Sequence, residues 1–274
     1  MTRGARAHSR RRTARPPTEP ARDLDGMLRR LHLPTGRRLY GDLAARAETE
    51  GMSYRLFLET LIAEEVAHRS ETRLTRAVRK AQFPFLRTID DFNFTFQTAL
   101  RLQMLGSYLG PELVTAGRNA ILSGPSGTGK THLALAIAYR AIQHGSEARF
   151  VGADVLIADL SRAAARGRLE AALDPYLHPH VLVIDELGYL SHAAAAANVL
   201  YRVVNERYLK QRPLFVTTNK PLAAWGDVVH DGDLAEAIVD RLLERGAHFV
   251  LRGRSYRTRH LKEEESPTRR AKTA

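Results

Sequence analysis

The amino-terminal third of the chain carries apolar residues at helical spacing. The break at 33–36, the glycine at 51 and a predicted N-capping Ser53 separate three helices. Each helix places its apolar side chains on one face, and these are Leu24, Met27, Leu28 and Leu31, then Leu39, Leu43 and Ala47, then Phe57, Leu58, Leu61 and Ile62. The pattern predicts a small all-helical domain over residues 23–83, of helix-turn-helix size but without a clear helix-turn-helix fingerprint.

Beyond a linker that begins at Pro84, the pattern changes to short apolar runs separated by segments of helix length. Each run indicates a buried strand, and the five runs lie at 119–122, 148–151, 181–185, 214–218 and 248–251. Near-continuous apolar strands that alternate with helices are typical of a parallel sheet covered on both faces. The pattern therefore predicts an α/β domain with a five-stranded parallel sheet over residues 84–262.

A glycine-rich loop follows the first predicted strand and precedes an apolar helix. It fits the pattern G-x-x-x-x-G-K-[ST], in which backbone N–H groups and the helix N-terminus surround phosphate oxygens. The predicted phosphate-binding residues are Gly124, Pro125, Ser126, Gly127, Thr128, Gly129, Lys130 and Thr131. The lysine would pair with phosphate oxygens and the threonine would ligate magnesium, so the loop predicts ATP and Mg²⁺ as ligands.

Two acidic residues stand where the third predicted strand ends. Ligands bind at the carboxyl ends of strands in open α/β sheets, so Asp185 and Glu186 are both expected to reach the bound nucleotide. We expect Asp185 to hold Mg²⁺ and Glu186 to deprotonate the water that attacks the γ-phosphorus. Asn219 follows the fourth strand and is expected to lie beside this water. A base for water indicates hydrolysis rather than phosphate transfer to a metabolite.

Charge adds a second kind of partner. The 274 residues include 42 Lys and Arg against 30 Asp and Glu, a formal net charge of +12, which favours nucleic acid as a partner. An arginine-rich genome is the alternative explanation. Arg69, Arg73, Arg76 and Lys80 share one row on the third helix and are the predicted DNA contacts, the alternative being an ordinary solvated face.

The ends of the chain and its composition limit the remaining possibilities. Residues 1–22 hold seven arginines and three prolines with little apolar surface, so we expect a disordered basic arm, and we expect residues 263–274 to form a disordered tail. The absence of cysteine excludes disulfides and cysteine-ligated zinc. No apolar run reaches the roughly 18 residues that a spanning helix needs, and no secretory signal is present, so we expect a cytoplasmic protein without a membrane partner.

Several stretches together resemble the IstB-like ATPases, the helper proteins of bacterial insertion-sequence transposases and relatives of the helicase loader DnaC. The stretches are GPSGTGKTHLALAI, VLVIDELGYL, VTTNKPLAAWGDV, AIVDRLLERG and RGRSYR, and the resemblance covers roughly residues 24–262. It implies a P-loop AAA+ ATPase fold. Independently of the resemblance, the 151 residues from Gly124 to Ala274 are mostly needed for the sheet, so we expect any lid after it to be minimal. The resemblance also implies a homo-oligomeric ring or filament on duplex DNA that delivers a target site to the transposase of the same element.

The resemblance further implies roles for two arginines. Arg241, in IVDRLL, matches a sensor arginine that touches phosphate from the same subunit. Arg207, in NERY, lies near the expected position of an arginine finger that completes the site of a neighbouring subunit, with Arg202 as its competitor.

Two other functions share parts of this pattern. A DnaC-like helicase loader would have the same ATPase core, but the match through residues 24–96 favours the transposition helper. A P-loop metabolite kinase would need neither Glu186 as a base for water nor a basic helical domain.

Overall fold

The computed structural model describes residues 23–188 and 196–258. The chain divides into two compact units, Met1–Glu71 and Thr72–Ala274. The predicted boundary at residue 83 falls later, because the third helix continues across this division. The predicted basic arm (1–22) and tail (263–274) lie outside the described residues.

The first unit contains the three predicted helices, α1 (Leu24–Arg30), α2 (Pro34–Glu50) and the start of α3 (Tyr54–Ala81). Gly51 ends α2 in the left-handed conformation, with φ of 63°. The Oγ of Ser53 accepts a hydrogen bond from the N–H of Leu56 at 3.2 Å, which is the predicted N-cap of α3. Between residue 23 and the end of this unit, the buried apolar residues are few: Leu28, Leu43 and Leu61.

A buried carboxylate stabilises the start of α2. Glu65 Oε2 accepts hydrogen bonds from the N–H groups of Thr35 at 2.8 Å and Gly36 at 3.0 Å, and Glu65 Oε1 accepts one from Arg69 Nε at 3.0 Å. Burial acts to raise the pKa of Glu65, but the bonds from Gly36, Arg69 and Thr35 outweigh it and lower that pKa. Glu65 on α3 therefore serves as the anionic cap of another helix.

The second unit alternates strands and helices as predicted. A single turn of 3₁₀-helix lies at Leu102–Leu105, and another lies at Leu222–Ala224. The remaining elements in chain order are α4 (Gly106–Leu109), α5 (Glu112–Thr115), β1 (Asn119–Ser123), α6 (Lys130–Gln143), β2 (Ala148–Gly152), α7 (Ala153–Ala165), α8 (Leu169–Leu177), β3 (Val181–Asp185), α9 (Ala196–Leu209), β4 (Leu214–Thr218), α10 (Trp225–Val229), α11 (Gly232–Glu244) and β5 (Gly246–Val250).

The sheet is parallel throughout, with strand order β2-β3-β4-β1-β5. Successive strand residues face opposite sides. Ile121, Leu182 and Val216 belong to the core with α7, α9 and α11. Leu122, Val183 and Phe215 belong to the core with α6 and with the turns at 102–115. Both faces are covered, so the prediction of an α/β domain with a five-stranded parallel sheet is confirmed.

Candidate nucleotide-binding site

The predicted phosphate-binding loop joins β1 to α6 at the carboxyl edge of the sheet. Gly124, Gly127 and Gly129 have φ values of 143°, 77° and 96°, a region that L side chains rarely adopt. A Cβ on Gly124 would lie 2.1 Å from the carbonyl oxygen of Leu251, so only glycine fits there. The loop opens into a cavity of about 500 Å³ that Ser126 to His132 help to line.

Lys130 lies against its own loop. Its Nζ donates hydrogen bonds to the carbonyl oxygens of Gly124 and Pro125, both at 2.8 Å. Burial lowers the pKa of Lys130, while Asp185 and Glu186 act to raise it. The ammonium group is thus held at the mouth of the loop, where phosphate oxygens could replace the two carbonyls as its partners.

The hydroxyl and the carboxylate predicted to hold magnesium are in contact. Thr131 Oγ1 donates to Asp185 Oδ1 at 2.9 Å, and Thr217 Oγ1 on β4 donates to the same oxygen at 2.6 Å. Asp185 is buried at the end of β3. Mg²⁺ prefers oxygen ligands of this kind, so the donor set fits the predicted metal.

The end of the cavity near β3 and β4 contains the predicted hydrolytic residues. Glu186, Thr218 and Asn219 line it. Glu186 has a φ of 59°, and its N–H donates to Thr217 Oγ1 at 2.9 Å. A non-glycine residue in this conformation is strained, and such strain concentrates at functional sites. The structure thus brings Lys130, Glu186 and Asn219 to one cavity.

The burial of Arg207 contradicts its predicted role as an arginine finger. Arg207 is fully buried on α9, and its guanidinium donates to the carbonyl oxygens of Tyr176, Pro179, His180 and Pro213 at distances of 2.7 to 3.1 Å. Burial lowers the pKa of Arg207 to about 9, so it remains charged at neutral pH. To reach a neighbouring subunit it would have to leave all four carbonyls, so Arg207 is a structural residue.

Arg241 also lies away from the predicted position. Its guanidinium donates to Asn205 Oδ1 and to the hydroxyl of Tyr201, both at 3.0 Å, and its Cζ lies 4.9 Å from the centre of the Tyr201 ring. These contacts hold α11 against α9, and Arg241 does not line the cavity. The prediction that it touches phosphate within its own subunit therefore stays a prediction, which would require Arg241 to leave Tyr201 and Asn205.

Arg257 occupies the cavity in its place. Its positive charge acts to lower the pKa of Lys130. Sequence reasoning missed it because Arg257 is far from the loop along the chain. The motif RGRSYR contributed to the family resemblance, but no role was assigned to its last arginine.

The linker between α3 and the sheet also forms part of the site, which we did not predict from the sequence. Seven of the residues that line the cavity belong to it or to the turn that follows: Phe85, Arg87, Asp91, Phe92, Asn93, Phe96 and Gln97. A Cβ on Gly129 would lie 2.8 Å from the ring of Phe92, so the linker packs closely on the loop. The aromatic run FNFTF was the available signal.

The predicted DNA row lies on α3, and three of its members have partners. Arg69 donates to Glu65, Arg73 Nη2 donates to the carbonyl oxygen of Gly145 at 3.2 Å, and Lys80 Nζ pairs with Glu147 at 2.7 Å. Arg76 is exposed and has no partner among the described residues. All four remain exposed, so DNA binding by the row stays a prediction.

The family model described as IstB-like ATP binding protein matches residues 26–264. The chain belongs to this family. It is 36% identical over 86% of its length, and over 94% of the relative, to the protein assigned as the ATP-binding protein of insertion sequence IS5376 from Geobacillus stearothermophilus. It is 35% identical to the corresponding protein of IS21 from Pseudomonas aeruginosa, over 78% of the chain and 81% of the relative.

The family and the site together confirm two predictions, that the chain binds ATP and that it is an ATPase. The crystal structure of DnaI superposes with a TM-score of 0.52 at 19% identity and covers 61% of this chain and 91% of that one. This likeness supports the AAA+ fold. Within residues 23–188 and 196–258, no helix combines the length and apolar character needed to cross a bilayer.

Proposed function

We propose that this IstB-like ATPase is the DNA-binding helper of an insertion-sequence transposase. ATP hydrolysis on duplex DNA would let it select or remodel a target site and then recruit the transposase of the same element. The observation that carries the hydrolytic part is the single cavity that holds Lys130, Glu186 and Asn219 around the glycine loop. The insertion-sequence relatives support the transposition part.

The residues of the cavity divide the chemistry among them. Thr131 and Asp185 would hold Mg²⁺, which offsets charge on the phosphates. Lys130 would exchange its loop carbonyls for phosphate oxygens. Glu186 would orient and deprotonate the attacking water, and Asn219 would hold that water in place. Arg257 would add positive charge near the phosphates.

The positive charge of the protein supports DNA binding, and the burial of Arg207 leaves the arginine finger of the proposed assembly to be assigned to another residue. The net charge of +12 and the exposed row on α3 support binding to duplex DNA in the cytoplasm. With Arg207 buried, Arg202 becomes the candidate finger for a neighbouring subunit in a ring or filament. Its side chain on α9 is 42% exposed and paired with Glu170 at the surface.

The helicase-loader alternative gains no specific support. At 19% identity, the structural likeness to DnaI supports the fold alone and says nothing about helicase loading. A metabolite kinase is disfavoured because Glu186, a base for water, lines the cavity.

ATP hydrolysis measured with and without duplex DNA tests this proposal. Lys130→Ala should abolish ATP binding because the phosphates lose their cation. Glu186→Gln should bind ATP yet turn over about 10²- to 10⁴-fold more slowly, since an amide cannot accept the proton. Glu236→Gln, on the exposed face of α11, is the matched control and should hydrolyse normally.

Two results would count against the proposal in different ways. Normal turnover by Glu186→Gln would show that Glu186 is not the base that deprotonates the attacking water. A wild-type rate that duplex DNA and the transposase both leave unchanged would keep the ATPase but reject the helper role.

A further inference from the structure

The segment after β5 lies along the phosphate-binding loop, and we call residues 251–257 the strap. The N–H of Leu251 donates to the carbonyl oxygen of Ser123 at 2.8 Å, and the N–H of Tyr256 donates to that of Gly127 at 2.9 Å. A Cβ on Gly127 would lie 2.0 Å from Ser255 Oγ. The strap therefore contacts the loop at both ends, and its last residue, Arg257, lines the cavity.

Gln97 links the strap to the loop between these contacts. Its side-chain Nε2 donates to the carbonyl oxygen of Thr128 at 3.2 Å, and its Oε1 accepts from the N–H of Arg252 at 3.3 Å. Gln97 is 2% exposed, so water cannot readily replace either bond. One partner is an acceptor and the other a donor, and therefore a neutral amide satisfies both.

Tyr256 adds a contact between the strap and the linker. Its ring meets the ring of Phe96, the residue before Gln97, edge to face with centroids 5.1 Å apart. The strap is thus bound to the loop and to the linker immediately before Arg257. These contacts form a continuous connection from the phosphate-binding loop to Arg257.

We propose that Gln97 is a positioning residue for ATP turnover, which joins the phosphate-binding loop to the strap and thereby fixes Arg257 at the cavity. The proposal rests on the proposed hydrolysis at this site. Gln97 lines the cavity, but both polar atoms of its amide are occupied by Thr128 and Arg252, so we assign it no contact with phosphate. We assign its effect on turnover to Arg257, and a double-mutant cycle separates this route from a direct effect on the loop through Thr128.

A double-mutant cycle between Gln97 and Arg257 tests this coupling. Gln97→Leu removes both bonds, and Gln97→Glu keeps an acceptor for Arg252 but loses the donor to Thr128. We expect either change to lower kcat about tenfold, the equivalent of roughly one hydrogen bond, with a smaller effect on the dissociation constant for ATP. In an Arg257→Ala background the same changes should lower kcat no further.

Gln103→Leu, an exposed glutamine on the neighbouring 3₁₀ turn, is the matched control. If Gln97→Leu fails to fold, judged by its melting temperature, Gln97→Glu carries the cycle. Equal losses of kcat in the wild-type and Arg257→Ala backgrounds would overturn the proposal, as would a wild-type kcat for Arg257→Ala. Failure of the proposed hydrolysis itself would be visible separately, as wild-type activity that Lys130→Ala does not abolish.

Discussion

Arg207 illustrates how an arginine can resemble a catalytic residue in sequence and yet serve the core. It follows Leu200, Val203 and Val204 at helical spacing, which places it on the buried face of α9. There it meets four carbonyl oxygens, two of them from the segment between α8 and β3. The spacing was available in the sequence, but the carbonyls come from segments far apart along the chain.

Replacing Arg207 by alanine should therefore reduce stability. Four carbonyl oxygens would lose their charged donor in a water-excluded site, and we expect the free energy of unfolding to fall by about 3–5 kcal/mol. Urea denaturation monitored by circular dichroism measures this. Arg202→Ala is the control on the same helix, since its surface ion pair contributes only about 0–1 kcal/mol. Equal stability of the two variants would contradict the structural role of Arg207.

Some site residues could be predicted from the neighbouring sequence alone, and others could not. The glycine loop, Asp185 and Glu186 could be predicted because each follows a strand whose end must lie at the same edge of the sheet. Arg257 and Gln97 could not, because their positions depend on how the strap and the linker cross that loop. The contacts of Arg241 with Tyr201 and Asn205 could not be predicted for the same reason, since they are set by tertiary packing.

At the scale of elements, α3 combines two tasks along one helix. Its first half supplies Glu65, the cap of α2, and its second half carries all four residues of the basic row. Spacing alone predicted the row correctly as a helical face. It could not show that Arg69 is held by the buried Glu65, because acidic side chains are mostly exposed and their burial depends on tertiary packing.

Arg76 is the member of the row best suited to test DNA contact. Arg76→Ala should lower the slope of log affinity against log salt by about 0.9, since one phosphate contact is lost, and should leave the melting temperature unchanged. Arg79→Ala removes the same charge from α3 outside the row and is the control. Arg69→Ala should in addition lower the melting temperature, because Glu65 loses a partner. An unchanged slope for Arg76→Ala would leave the row an ordinary solvated face, and an equal decrease for Arg79→Ala would show that DNA contact is not specific to the row.

At the scale of the whole molecule, the sheet and its two covered faces followed from the alternation of apolar strands and helices. The number of strands and their parallel direction were predicted. The division of the chain inside α3 was not, because a continuous helix gives no break in its sequence pattern. If subunits assemble as proposed, the burial of Arg207 leaves arginines at the surface as the candidates for a finger that acts on a neighbour.

Mixing two inactive variants tests whether Arg202 completes a neighbour's site. Lys130→Ala should not bind ATP but can still offer Arg202, whereas Arg202→Ala binds ATP but lacks the finger. Each should be nearly silent alone on DNA, because arginine fingers contribute about 10³–10⁵ in rate in well-studied GTPases. In an equal mixture about a quarter of random head-to-tail interfaces would pair an intact ATP site with an intact finger. DNA-stimulated turnover should then recover to a similar fraction of the wild-type rate.

Arg162→Ala, another exposed and ion-paired arginine, should be active alone and gain nothing from mixing. If no ratio of the two inactive proteins restores turnover while both are folded and bound to DNA, Arg202 does not act across the interface.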